Sequence, residues 1–122
     1  MKGNTGQKVS EIFDLEKYHS KGIKGKGIKV AIFDSGISEV FSKDEDYSDS
    51  DFLSVKRIIN FTHDRDSRDA LGHGTFIAGV VGSLNKECPG IAPDAEIYVL
   101  KLFTSERVSY TSWFLDAFNF VL

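Results

Sequence analysis

The sequence predicts an α/β fold, a doubly wound parallel sheet. Three observations predict it. Short apolar runs rich in β-branched residues alternate along the chain with segments of helical periodicity, the order expected of parallel strands joined by crossover helices. Glycines punctuate the joints between them. At 122 residues, 41% hydrophobic and 27% charged, the chain has the size and composition of one folded globular unit. A net charge of −3 lacks the basic excess of a nucleic-acid binder. No apolar run approaches the roughly 20 residues of a membrane span.

The elements are expected in this order. Residues 1–9 read as a flexible leader, polar and without the apolar core of a secretory signal. A helix follows from Ser10, a plausible N-cap, with Ile12, Leu15 and Tyr18 at helical spacing. The glycine-punctuated stretch Lys21 to Gly27 then turns the chain into a strand from Ile28 to Asp34. Its apolar, β-branched second half suits the centre of a parallel sheet, buried on both faces. Residues 38–53, with Asp44, Glu45, Asp46, Asp49 and Asp51 among serines, read as a solvated surface loop centred on 42–51. Attraction of a basic substrate is a second use for that acidic run, whereas its spacing does not fit an EF-hand. Further strands are expected at Val55–Phe61 and Glu96–Phe103. A buried helix is expected over Phe76 to Leu84, and a last one from about Tyr110, with Trp113, Phe114, Phe118 and Phe120 as a packing face.

Candidate chemistry sits at two joints. Asp34 ends the first strand and is followed by Ser35-Gly36. It suits a strand-end cap, a phosphate-handling aspartate or a triad carboxylate. The phosphate reading is weakened because Gly36 stands where a second acid would serve magnesium. His73 lies 39 residues later between Gly72 and Gly74 at a helix start. Glycine neighbours let other backbone approach the imidazole, and a helix start is a rigid mount. The lone Cys88 cannot form an internal disulfide and reads as a partly buried thiol. Asn60-Phe61-Thr62 is a glycosylation sequon.

Together, Val-Ala-Ile-Phe-Asp-Ser-Gly-Ile and Gly-His-Gly-Thr-Phe-Ile-Ala-Gly resemble the subtilase family of serine proteases, whose triad runs Asp, His, Ser. The resemblance extends over roughly residues 10–122, with the acidic loop as the main exception, through Pro89 to Phe103 and the stretch from Val108 to Asn119, which is similar to the site-1 protease branch. It implies a serine endopeptidase acting on protein or peptide substrates. Asp34 would orient and stabilise the imidazole of His73, and His73 would act as general base and then acid. Arg107, Val108 and Ser109 would pair with extended substrate backbone. The branch implies a secretory-pathway protein, membrane-anchored at full length, although this segment offers no membrane contact.

The departures from the family pattern matter as much. No serine here has the Gly-Thr-Ser-Met-Ala-like context of the nucleophile, and no counterpart of the oxyanion asparagine is present. The 122-residue chain alone is therefore expected to be inactive, which keeps open a second reading, a pseudoprotease or fragment that binds extended peptides without cutting them. Phe76 replaces the second histidine of many subtilases, an aromatic preference shared with the site-1 branch. The short connection from Ser83 to Ile91 implies that one family calcium loop is missing, and neither a metal nor a cofactor is expected.

Overall fold

The computed structural model describes residues 5–38 and 51–122; most of the acidic stretch 42–51 lies outside the described residues. The elements are α1 (Thr5–Phe13), α2 (Leu15–His19), β1 (Lys29–Asp34), β2 (Val55–Asn60), α3 (His73–Gly82), β3 (Glu96–Lys101) and α4 (Thr111–Val121). The sheet is parallel with the order β1-β3-β2.

Three expectations change. The first helix begins at Thr5, inside the stretch read as a leader, so Ser10 is a helical residue and not the cap. The helix then breaks at Asp14, whose backbone is left-handed (φ 51°), a conformation aspartate tolerates better than most residues. The second concerns the sheet. Among the described residues β3 lies between β1 and β2, and β1 pairs with it along one side. Ile28 and Ala31 are exposed in this segment. β3 carries the buried pattern instead, with Ile97, Val99 and Leu100 inaccessible to solvent. The third correction is to α3. It starts at His73, and its buried residues are only the small ones, Gly74, Ala78 and Gly82, while Phe76 is 52% exposed.

Alternation along β3 sorts the core into two layers. Ile97 and Val99 pack with Ile32, Val55, Ile58 and Ala78 beneath α3. Tyr98, Leu100 and Leu102 pack on the other face with Phe33, Ile59 and, from α4, Trp113, Phe114 and Ala117. The sheet is thus covered on both faces, as a doubly wound fold requires. A register irregularity between Val55 and Arg57 brings Val55 and Ile58 to the same layer. Each fully buried aliphatic side chain contributes roughly 1.5–3 kcal/mol. The small stripe on α3 lets the helix lie close to the sheet: a Cβ on Gly82 would sit 2.3 Å from Ile97 Cδ1. The aromatic face of α4 is only partly a packing face. Phe118 meets Phe33 with tilted rings at 4.9 Å and Phe120 meets Phe61 edge-on at 6.0 Å, yet both remain substantially exposed.

Register aligns the carboxyl ends of the strands. Asp34 of β1 and Asn60 of β2 both stand beside Lys101 of β3. The site is built at this edge, where open α/β sheets hold their chemistry.

Candidate active site

Asp34 and His73, far apart in sequence, meet between the end of β1 and the first residue of α3. The Nδ1 atom of His73 lies 2.9 Å from Oδ1 and 2.8 Å from Oδ2 of Asp34. A carboxylate only accepts hydrogen bonds, so this contact assigns the imidazole proton to Nδ1 and leaves Nε2 with the lone pair in the neutral ring. The two environments differ. The Asp34 side chain is 14% exposed and the His73 side chain 67%. An anchored carboxylate behind an accessible imidazole is an arrangement able to accept and return a proton at Nε2.

Two glycines allow the approach. A Cβ on Gly74 would sit 2.4 Å from Gly36 O, so α3 can start this close to the end of β1 only without a side chain there. Gly36 has φ +108°, and a Cβ on it would sit 2.2 Å from Ser67 O.

A carboxylate that the motif reading passed over ties this junction together. Oδ1 of Asp69 accepts from the Ser35 hydroxyl (2.7 Å) and from the backbone N–H of Leu71 (3.1 Å) and Gly72 (2.8 Å). Its Oδ2 accepts from the Thr75 N–H (2.8 Å) and hydroxyl (2.7 Å). Burial alone would raise the pKa of Asp69, but the hydrogen bonds from Thr75, Ser35 and Gly72 prevail and hold it below the ordinary carboxylate value. Thr75 in turn accepts from the Ser38 N–H at 2.9 Å. Ser35 is buried and accepts from the Gly74 N–H at 2.9 Å, which makes it structural rather than nucleophilic. The available signal for Asp69 was its place just before the Gly72–Thr75 turn, where aspartate commonly accepts from following N–H groups.

Lys101 was also missed. Its side chain is 2% exposed, donates to Arg68 O and pairs with Asp64 Oδ2 at 3.0 Å. It clamps the 61–70 connection over the strand ends. Asn60 does the same from β2. Its Nδ2 donates to Asp64 O and Asp66 O, and its Oδ1 accepts from the Thr62 N–H and hydroxyl. The asparagine of the sequon is therefore occupied on both sides of its amide.

Arg107, Val108 and Ser109 lie in a tight turn after β3. Arg107 is left-handed (φ 64°), and its N–H donates to Thr104 O at 2.9 Å. Val108 is engaged within the turn: its carbonyl accepts from the Thr104 N–H at 2.9 Å and its N–H donates to Thr104 Oγ1 at 3.1 Å. Among the described residues, no hydrogen bond joins this turn directly to Asp34 or His73. The turn is linked to the clamp, since the Ser105 N–H donates to Asp64 Oδ2 at 2.8 Å. A pocket of about 350 Å³ lined by Asp64, Asp66, Asp69 and Lys101 lies at this link. Cys88 is a half-buried thiol.

Residues 25–121 match the family model of the subtilases. The chain belongs to the subtilase family. It is 42% identical over 116 residues to the membrane-bound transcription factor site-1 protease of Homo sapiens, covering 95% of this chain and 10% of that protein. It is 43% identical over 114 residues to the subtilisin-like protease SBT6.1 of Arabidopsis thaliana, covering 93% of this chain and 10% of that protein. Subtilisin E of Bacillus subtilis is 31% identical over 108 residues, 85% of this chain and 26% of that protein. This subtilase segment thus spans about a tenth of the length of the site-1 protease it resembles.

Proposed function

We propose that this segment supplies the carboxylate and the base of a subtilase catalytic triad in a serine endopeptidase. The observation that carries the reading is the contact of His73 Nδ1 with both oxygens of a partly buried Asp34, on an imidazole that is itself accessible. Asp34 holds the ring in the tautomer with its proton on Nδ1 and stabilises the imidazolium. His73 Nε2 takes the proton of a serine hydroxyl as it attacks the substrate carbonyl, then gives it to the leaving amine. The serine comes from outside this segment, since Ser35, the hydroxyl adjacent to Asp34, is spent on Asp69 and Gly74. Loss of that serine costs about a million-fold in kcat in subtilisin, so the 122 residues alone have no measurable turnover.

Substrate enters as an added strand along Arg107 to Ser109. Val108 has both backbone groups engaged in the turn, so pairing falls to the carbonyl of Arg107 and the N–H and carbonyl of Ser109. The similarity to a protease named as membrane-bound supports a place in the secretory pathway, anchored at full length. Among the described residues no helix is long and apolar enough to cross a membrane.

The test is an activity-based fluorophosphonate probe on the natural full-length protein that carries this sequence. Covalent labelling, abolished by His73→Ala and strongly reduced by Asp34→Asn, is the expected result. Peptide binding without labelling would instead establish the non-cleaving alternative.

A further inference from the structure

We propose that Asp69 is a positioning residue acting through Ser35: its carboxylate accepts the hydrogen bond of the Ser35 hydroxyl, so that Oδ1 of Asp34 is kept for the imidazole of His73. The inference rests on the reading of Asp34 and His73 as a working pair and concerns what sets the strength of their contact.

The argument begins with the single proton of the Ser35 hydroxyl. Two carboxylate oxygens compete for it, Asp69 Oδ1 at 2.7 Å and Asp34 Oδ1 at 3.2 Å. The shorter distance falls at the usual length for O–H···O bonds and the longer one outside it, so the hydroxyl donates to Asp69. The Ser35 lone pair then accepts the Gly74 N–H, which anchors the residue next to His73. Asp34 Oδ1 is left with the Ser35 N–H at 2.8 Å and with the imidazole.

Without an acceptor at position 69, Asp34 Oδ1 is the other carboxylate oxygen within reach of the hydroxyl among the described residues. An extra donor on Asp34 Oδ1 spreads its charge over one more hydrogen bond and weakens its hold on the imidazole N–H. Asp69 is suited to hold that hydrogen bond. Its two oxygens accept five hydrogen bonds among the described residues, and its carboxyl is held in the ionised form by those donors. Among the described residues the Arg68 guanidinium pairs with Asp66 and the Lys101 ammonium with Asp64.

The test is proton NMR of the His73 Nδ1–H resonance in the natural full-length protein that carries this sequence. A charge-assisted N–H···O⁻ bond places it far downfield. Asp69→Ala is expected to move it upfield. In a Ser35→Ala background the same substitution is expected to move it much less, because no hydroxyl can swing onto Asp34. Ser35→Ala by itself is expected to leave the resonance near its starting position. An equal upfield shift with and without Ser35 would make Asp69 a purely structural support and overturn the proposal. A downfield shift in Ser35→Ala would also overturn it, since the hydroxyl would then have been donating to Asp34 all along. That single variant decides the question even where Asp69→Ala does not fold. Asp34→Asn separates the two levels of inference. Retention of the downfield resonance in that variant overturns the Asp34–His73 pairing itself. Its loss, combined with no effect of Asp69→Ala, overturns only the role of Asp69.

Discussion

Single residues decide whether the imidazole and its carboxylate meet. The close approach of β1 and α3 depends on the absence of side chains at Gly36 and Gly74. At Gly36 a methyl group would add both a clash with Ser67 O and left-handed strain, at φ +108°. Gly36→Ala is expected to cost about 3 kcal/mol of stability, read as a lowered urea midpoint. Gly79, inside α3 with open space around its added Cβ, is the matched control. There alanine is expected to stabilise by up to about 1 kcal/mol, because only helix propensity changes. Equal effects at the two positions would contradict the idea that backbone proximity at Gly36 is what demands glycine.

At the scale of elements, the connection between β2 and α3 is held by side chains at the strand ends. Asn60 closes it from β2, Lys101 from β3, and Asp69 ties its far end to α3. The amide of Asn60, the sequon asparagine, is engaged within this folded connection. A glycan would attach to Nδ2, which already donates two hydrogen bonds to backbone carbonyls. Full-length protein produced in a glycosylating cell is expected to carry an unmodified Asn60, checked by mass spectrometry of the peptide spanning it. Asn60→Gln, which displaces the amide by one methylene, is expected to lower stability by about 1–3 kcal/mol. A fully occupied glycan at Asn60 would show that this connection forms after modification or not as described.

For the whole molecule, three aspartates on one connection make stability pH-dependent. Asp64 is pushed up by burial, but Lys101 and the Ser105 N–H outweigh this and lower it. Asp66 is lowered chiefly by its hydrogen bond with Arg68, and Asp69 by the donors that overcome its burial. A carboxyl with a folded pKa below its unfolded value adds stability above the unfolded value of about 3.9, and loses it as pH falls through the folded one. In that range the unfolded chain binds more protons, so stability falls with decreasing pH. Urea midpoints are expected to be flat from about pH 6 to 5 and to drop steeply below about pH 4. Asp69→Asn is expected to flatten part of that acid limb. A wild-type midpoint that does not change between pH 5 and 2 would refute the linkage.

Much of this was legible in the residues themselves. Alternating apolar runs specify parallel strands and crossover helices because each pattern buries a face only in its own geometry. The pairing of Asp34 with His73 was readable only as a resemblance of two short motifs, since nothing local brings positions 39 apart together. Tertiary structure alone decided that β3 lies between β1 and β2 among the described residues. β1 and β3 are both apolar, and burial on two faces depends on neighbours that a run of residues cannot name. It also decided that Lys101 is buried and Asn60 occupied, because the charge and the amide acquire partners only when the 61–70 connection folds over the strand ends. Asp69 belongs to the same class. Its donors come from β1, the following turn and α3, and only the assembled fold brings them around one carboxylate.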